Sequence, residues 1–307
     1  MPRVITVLCG GVGAARLLRV LRHARLDVPL TAVVNVGDDL VLHGLTICPD
    51  LDTILYTLAG LNNESTGWGL RDDSFRAMEA LEILGGEAWF RLGDHDLATH
   101  LYRSQRLVEG ATKTVVTAEL VARLGVEVDL LPVTDDPVAT VFATALGPLT
   151  FQEYFVRHHH AVPVLAIDVV GATQARATDA ALAALEHARR IVIAPSNPLI
   201  SIDPILRIPG IRDVLRSRRD DVVAVSPIVN GSALKGPADR LLAELHYDVS
   251  CVGVADFYGD LVGTWIIDDA DARHADALRE RGHTVRVTST IMGTTGADTR
   301  LAAAVLS

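Results

Sequence analysis

Two groups of residues near the start of the chain have the types and spacing that phosphate chemistry needs. The first is Gly10-Gly11-Val12-Gly13-Ala14-Ala15-Arg16, directly after the apolar run Val4–Leu8. Glycines at a strand-to-helix turn let backbone N–H groups approach a phosphate closely, and the helix N-terminus that follows favours an anion. The second group is Gly37-Asp38-Asp39 followed by Pro49-Asp50-Leu51-Asp52-Thr53. Carboxylates gathered on neighbouring loops repel one another unless a cation lies between them, and oxygen-only ligands favour a hard ion such as Mg²⁺. Gly10, Gly11 and Gly13 are thus candidates to hold a nucleotide phosphate, and Asp38, Asp50 and Asp52 to hold a metal beside it. Plainer alternatives stay open. The turn lacks the third glycine of the dinucleotide pattern and the Gly-Lys-Ser/Thr ending of a Walker loop, so strand–helix packing alone could require it. Gly37-Asp38-Asp39 also reads as a turn, and Asp52 as the cap of a helix beginning at Thr53.

Further along, Arg91-Leu92-Gly93-Asp94-His95-Asp96 is either a capped helix start or a set of groups suited to a polar heterocycle. Ala194-Pro195-Ser196-Asn197-Pro198 follows a buried apolar run. Its prolines fix the backbone, while Ser196 and Asn197 offer hydrogen bonds suited to a purine edge or a ribose; the alternative is an ordinary loop. Ser226-Pro227 through Lys235-Gly236 repeats the arrangement, with Lys235 able to meet a nucleotide's negative charge. His158-His159-His160 diverge on any regular backbone and read as a polar helix end. Cys9 reads as a small buried residue. No hydrolase triad is recognisable, and Gly-x-Ser-x-Gly is absent.

The elements that must position these groups follow an α/β rhythm. Val4–Leu8 and Leu30–Asn35 read as strands, with a helix from Ala14 to His23 between them. Leu40–Ile47 can return as a hairpin and bring Asp50 and Asp52 to the edge where Asp38 lies. From Asn62 the texture changes to short helices at Ser74–Leu84, Leu97–Leu107 and Thr117–Leu124, with a small sheet expected from Val128–Val133 and Ala139–Thr144. The rhythm resumes with a strand at Val164–Val170, a helix at Thr178–Arg189 and a strand at Ile191–Ala194. Val222–Ser226, Val249–Val254, Thr264–Ile267 and Thr284–Val287 read as further strands, and Gly296–Leu306 as a closing helix. The expected fold is α/β, a Rossmann-like parallel sheet with helices on both faces and an inserted, more helical second domain. Residues 1–61 and 164–307 would form the nucleotide-binding core and 62–163 the insertion. Open sheets of this kind bind ligands outside the carboxyl ends of their strands, where the glycine turn and the acids fall.

Composition narrows the partners. The 307 residues are 49% apolar but only 5% aromatic, so Ala, Val, Leu and Ile must build the core. A formal charge of −10 with no Lys/Arg stripe argues against nucleic acid. It also means that an anionic substrate needs local N–H groups, a metal and a few basic side chains. No apolar run reaches the roughly 18–20 residues that span a bilayer. Three widely spaced cysteines fit a reducing compartment and no signal-peptide pattern is recognisable, so a cytoplasmic location is expected. An apolar chain of this size is expected to form a homodimer, with no interface named.

Taken in order, GGVGAARLL, VVNVGDDLVLHGLTICPDLDTILYTL, WGLRDDSF, WFRLGDHDLATH, LLPVTDD and IAPSNPLISIDPIL resemble the 2-phospho-L-lactate transferase / phosphoenolpyruvate transferase family of coenzyme F-420 biosynthesis. The likeness runs over nearly the whole chain, and GGVG and WGLRDD are closer to the actinobacterial members than to the archaeal ones. The resemblance implies a Rossmann-like fold with an inserted domain. It also implies a reaction in which the ribityl hydroxyl of the deazaflavin Fo attacks a guanosine diphospho-acid, GMP leaves and a phosphodiester forms. The acid is lactate in archaeal members and enolpyruvate in actinobacterial ones. Carried onto this sequence, Gly10, Gly11 and Gly13 match the phosphate loop. Asp38, Asp50 and Asp52 match the catalytic acidic motifs where Mg²⁺ and the Fo hydroxyl meet. Arg91 and Asp94 match the segment expected near the deazaflavin, and Ser196 and Asn197 the one near guanosine. A nucleotide-sugar-binding regulator of the gluconeogenesis-factor type is the main alternative, and WFRLGDHD counts against it. A nicotinamide-dependent oxidoreductase is disfavoured by the missing third glycine and the crowded acids.

Overall fold

Five consecutive buried residues, Ile5–Cys9, form β1, an inner strand of a seven-stranded parallel sheet. The computed structural model describes residues 4–24 and 28–307. From β1 the chain turns at Gly10 into α1 (Gly11–His23) and returns as β2 (Leu30–Val34), with Ile5 opposite Leu30 and Cys9 opposite Val34. The hairpin β3 (Leu40–Leu42) and β4 (Leu45–Ile47) then leads into α2 (Pro49–Leu58). Pro49 opens α2 at a position where a missing N–H costs nothing, so the helix begins four residues earlier than Asp52-Thr53 suggests. Asp50 and Asp52 therefore both lie in its first turn.

Three helices follow, α3 (Arg76–Ile83), α4 (Asp96–Val108) and α5 (Lys113–Arg123), close to the expected positions. The hairpin, α3 and α4 share a small apolar cluster of Ile47, Met78 and Leu92, flanked by Leu40, Leu42, Leu81, Phe90 and Leu97. The next strand departs from expectation. β5 (Asp129–Pro132) pairs parallel with β2, Thr31 opposite Asp129 and Val34 opposite Pro132, so it is an edge of the main sheet. A four-residue run carries no mark of which sheet it joins; here α5 packs against it and delivers it to the open side of β2. The small sheet instead comprises β6 (Ala139–Thr144), β7 (Gly147–Thr150) and β8 (Val164–Val170), all antiparallel. β8 was expected to resume the parallel rhythm, but Leu165, Ala166, Asp168 and Val170 are exposed, which marks a strand covered on one face.

The main sheet resumes after α6 (Asp179–Glu186) with β9 (Arg190–Ile193), which lies on the free side of β1. α7 (Asp203–Leu206) and α8 (Ile211–Ser217) lead to β10 (Val222–Val225). The short hairpin β11 (Ile228–Val229) and β12 (Ser232–Ala233) precedes α9 (Ala238–Glu244). The expected strand at Val249–Val254 is instead the start of a helix, α10 (Cys251–Tyr258). The Ser250 side chain accepts from the N–H groups of Val252 and Gly253, capping a helix so buried that its sequence shows no polar face. β13 (Thr264–Ile267), α11 (Ala275–Glu280), β14 (Thr284–Val287) and α12 (Thr295–Leu306) complete the chain.

The sheet order is β14-β13-β10-β9-β1-β2-β5. β1, β2, β10 and β13 are buried at every residue, so both faces are covered. The chain winds outward from β1 through β2 to β5, then crosses to β9 and winds the other way. The order of winding thus reverses between β1 and β9, which is where an open α/β sheet leaves a crevice for ligand.

Candidate functional site

The crevice between β1 and β9 is closed at its base by contacts so near that neither Gly10 nor Gly13 has room for a side chain. A Cβ on Gly10 would lie 2.6 Å from Ser201 Cβ and 2.8 Å from Asp50 Oδ2, and one on Gly13 would lie 2.5 Å from the carbonyl oxygen of Pro195. Ser196 Oγ donates to the Gly10 carbonyl at 2.7 Å, tying the two strand-end loops together. Gly10, Gly13 and Ser196 therefore meet at one point, and strand–helix packing is a demonstrated reason for the two glycines. Gly13→Ala should lower the unfolding free energy by roughly 1–3 kcal/mol, because backbone rather than a movable side chain opposes the methyl group. A thermal melt indistinguishable from wild type would contradict this contact. Asn197 Oδ1 accepts from Leu199 N at 3.0 Å, while its Nδ2 is buried and has no partner among the described residues. The Gly11 N–H is turned to Asp50.

The four acids separate into two kinds. Asp38, after β2, and Asp50, in the first turn of α2, are 4% and 6% exposed. Asn35 Nδ2 donates to Asp50 Oδ2 at 2.9 Å, and Asn35 Oδ1 accepts from Gly37 N at 2.8 Å, so one amide fixes both loops. Burial, then repulsion from Asp50 and Asp39, raises the Asp38 carboxyl well above the ordinary range. Burial pushes Asp50 up to about 6, against the hydrogen bonds from Asn35 and Gly11. Asp38 Oδ1 is buried and has no partner among the described residues. Among the described residues no basic side chain forms an ion pair with Asp38 or Asp50.

Asp39 and Asp52 are, by contrast, compensated. Lys113, at the start of α5, forms a close and nearly buried ion pair with Oδ2 of Asp39, whose Oδ1 has no partner among the described residues. Burial still leaves Asp39 above its ordinary value, although Lys113 pulls it down. Arg103 on α4 grips both oxygens of Asp52, Nη1 at 3.0 Å from Oδ2 and Nη2 closer still to Oδ1. Asp52 is therefore neither the expected helix cap nor an oxygen donor on the same footing as Asp38 and Asp50. Among the described residues, no group of three or more His, Cys, Asp or Glu side chains is arranged to hold a metal. Two carboxylates remain, a set that suits Mg²⁺, which keeps several waters and takes further oxygens from substrate phosphate.

Arg91 and Asp94 lie elsewhere. Asp94 accepts from Ser74 Oγ at 2.6 Å, Arg76 N at 3.1 Å and Ala77 N at 3.0 Å, so its carboxylate caps the N-terminus of α3. The Ser74 hydrogen bond is the main cause of its lowered pKa. The Arg91 guanidinium stacks 4.9 Å from the Phe75 ring centroid and pairs with Glu79 at 3.6 Å, and is half-exposed. Neither side chain contacts the acid pair.

Residues 5–301 match the sequence profile of the family described as 2-phospho-L-lactate transferase CofD. The chain belongs to this family. Membership makes it an enzyme, a transferase of the phospho-lactate or phosphoenolpyruvate type. It is 42% identical over 294 residues to the phosphoenolpyruvate transferase of Streptomyces coelicolor, covering 94% of this chain and 92% of the relative. It is 43% identical to that of Thermobifida fusca, covering 87% of each. Identity to the 2-phospho-L-lactate transferase of Methanosarcina acetivorans is 36%, covering 96% of each. A solved UPF0052-family protein of Bacillus halodurans shares the fold over the full length of both chains, with a TM-score of 0.65 at 16% identity.

Within this family member, sequence reasoning missed a buried polar network behind the acids. Tyr56 Oη donates to Asp96 Oδ1 at 2.7 Å, and His100 Nε2 lies 3.2 Å from Asp96 Oδ2. His100 Nδ1 is 3.7 Å from Asp52 Oδ2, beside Arg103. Asp96, His100 and Arg103 recur at helical spacing on one face of α4, a signal that was present but reads as a solvated face until burial is known.

Proposed function

We propose that the chain transfers a phospho-enolpyruvyl or phospho-lactyl group from a guanosine diphospho-acid to the ribityl hydroxyl of the deazaflavin Fo, releasing GMP and forming the (dehydro) coenzyme F-420-0. The observation that carries this reading is the pair Asp38 and Asp50, uncompensated by any ion pair among the described residues and set beside the glycine turn at the β1/β9 crevice. The higher identity to the phosphoenolpyruvate transferases, 42% against 36%, favours the enolpyruvyl group.

The acid pair fits a resident Mg²⁺, because Asp38 Oδ1 lacks a partner and burial without a counter-charge raises both carboxyls. Asp38 and Asp50 would hold the ion, and when bound it would lower the pKa of an adjacent hydroxyl and offset phosphate charge. The remaining work falls to the chain. Asn35 and the Gly11 N–H orient the Asp50 carboxylate. The hydroxyl oxygen forms the new P–O bond in line with the P–O bond that breaks to GMP. A carboxylate oxygen of Asp38 that the ion would leave free takes the hydroxyl proton. N–H groups at the start of α1 receive the phosphate of the departing GMP. Ser196 and Asn197, with its unpartnered Nδ2, lie on the guanosine side. Arg91 borders the deazaflavin, and Asp94 positions that segment through its cap of α3. The cytoplasm is the proposed compartment, and all three cysteines are buried and unpaired.

Mass spectrometry of the product from Fo, Mg²⁺ and each donor tests the reading. The expected product is the enolpyruvyl phosphodiester of Fo together with one equivalent of GMP. Unchanged Fo with both donors would overturn the assignment.

A further inference from the structure

The chain contains only two lysines, Lys113 and Lys235, against an excess of acids. Lys113 is engaged with Asp39. Lys235 follows the β11–β12 hairpin, yet the fold carries it across to the glycine turn. A Cβ on Gly67 would lie 3.3 Å from Lys235 Nζ and equally 3.3 Å from Val12 Cγ2. Val12 sits between Gly11 and Gly13 in the first turn of α1. Three segments distant in sequence thus converge on one spot, and Gly67, with φ +84°, leaves the room that a side chain would fill. Lys235 is exposed and forms no ion pair among the described residues.

We propose that Lys235 is the cation that receives the diphosphate of the donor at the glycine turn, an assignment that rests on the transferase reading above. The electrostatics require such a group. A diphosphate approaching four aspartates in a protein of formal charge −10 is repelled. The cations nearest the acids, Lys113 and Arg103, are held by Asp39 and Asp52 and have no charge to spare. The N–H groups at the start of α1 carry only partial charge. A lysine on a flexible stem supplies a whole charge and can follow the phosphate as the bond to GMP breaks. The leaving phosphate gains negative charge in the transition state, so Lys235 should hold it more tightly there than in the bound donor.

Calorimetric titration of wild type, Lys235→Gln and Lys235→Arg with inorganic pyrophosphate, GMP and guanosine, in Mg²⁺, tests this. Lys235→Gln should weaken pyrophosphate and GMP by roughly 10- to 100-fold, the span of one charge-assisted hydrogen bond. Guanosine binding and the melting temperature should not change, kcat should fall more than KM for Fo rises, and Lys235→Arg should recover much of the loss. Equal pyrophosphate affinity in wild type and Lys235→Gln would overturn the proposal, as would wild type that takes no pyrophosphate. Wild type that binds pyrophosphate in a Lys235-dependent way but neither GMP nor Fo would remove the guanosine-donor reading and leave the anion site standing.

Discussion

Asp50→Asn is expected to lower transfer on the order of 10³-fold or more and, in metal-free buffer, to make the protein more stable. The two effects have one cause. Asp50 is buried beside Asp38 with no ion-pair partner among the described residues, and its carboxyl is pushed up to about 6. In the unfolded chain it would titrate near 3.9. Between those two values the folded state binds the proton more tightly, so stability is greatest below the lower value and is lost as pH rises through the upper one. Above pH 7 the ionised pair carries a penalty on the order of 1–3 kcal/mol. Asparagine removes that charge while its amide oxygen can still accept from Asn35 Nδ2. Melts in EDTA at pH 8 should therefore place Asp50→Asn a few degrees above wild type, with the gap closing toward pH 4. Mg²⁺ should raise the wild-type midpoint and leave that of the variant in place. A variant less stable than wild type at pH 8 without metal would contradict the picture of two unneutralised carboxylates.

Arg103→Met is expected to cost about 3–5 kcal/mol, because it strands Asp52 as a buried charge. Both Arg103 and Asp52 are almost wholly buried, and the guanidinium engages both carboxylate oxygens. His100, 3.7 Å from Asp52, is already turned toward Asp96 and offers poor compensation. The double variant Asp52→Leu/Arg103→Met should recover most of the loss, since an apolar pair of similar volume avoids the stranded charge. Urea unfolding of both variants measures this directly, and a shift within about 1 kcal/mol for Arg103→Met alone would show that water reaches Asp52. Because Asp52 shares the first turn of α2 with Asp50, Arg103→Met should also impair transfer in the fraction that remains folded.

These effects show which features were legible in the sequence. β1, β2, β9, β10 and β13 are short runs of Val, Ile and Leu ended by turn residues, and covering both sides of the sheet makes such runs continuous. The glycine turn and the Ser196–Asn197 loop fell where the winding order reverses, as alternation of strand and helix implies, and Leu40–Ile47 formed the expected hairpin. Less legible were elements whose partners are chosen at long range. β5 and β8 differ little as strings, yet one completes the parallel sheet and the other pairs antiparallel with β6. The start of α10 is as apolar as a strand because it too is buried all round.

The same limit applied to the acids. Spacing identified Asp38, Asp50 and Asp52 as a group, but whether an aspartate is neutralised depends on helices about 50 to 75 residues away. Arg103 and Lys113 arrive with α4 and α5, and nothing local to Gly37–Thr53 announces them. The rarity of lysine was an available signal, since a chain with only two has little reason to place both at one crevice for solubility alone. Asp94 shows the reverse case, where a residue suited to a heterocycle is turned instead into its own loop and the cap of α3.

The central claim is that Asp38 and Asp50 form the cation site at this crevice. Titration of Mn²⁺ into wild type, Asp38→Asn and Asp50→Asn, followed by electron paramagnetic resonance with GDP present, tests it most directly. The account predicts one ion per wild-type chain and binding weaker by roughly 10- to 100-fold or more in each variant. Asp50→Asn holding the ion as tightly as wild type would contradict it.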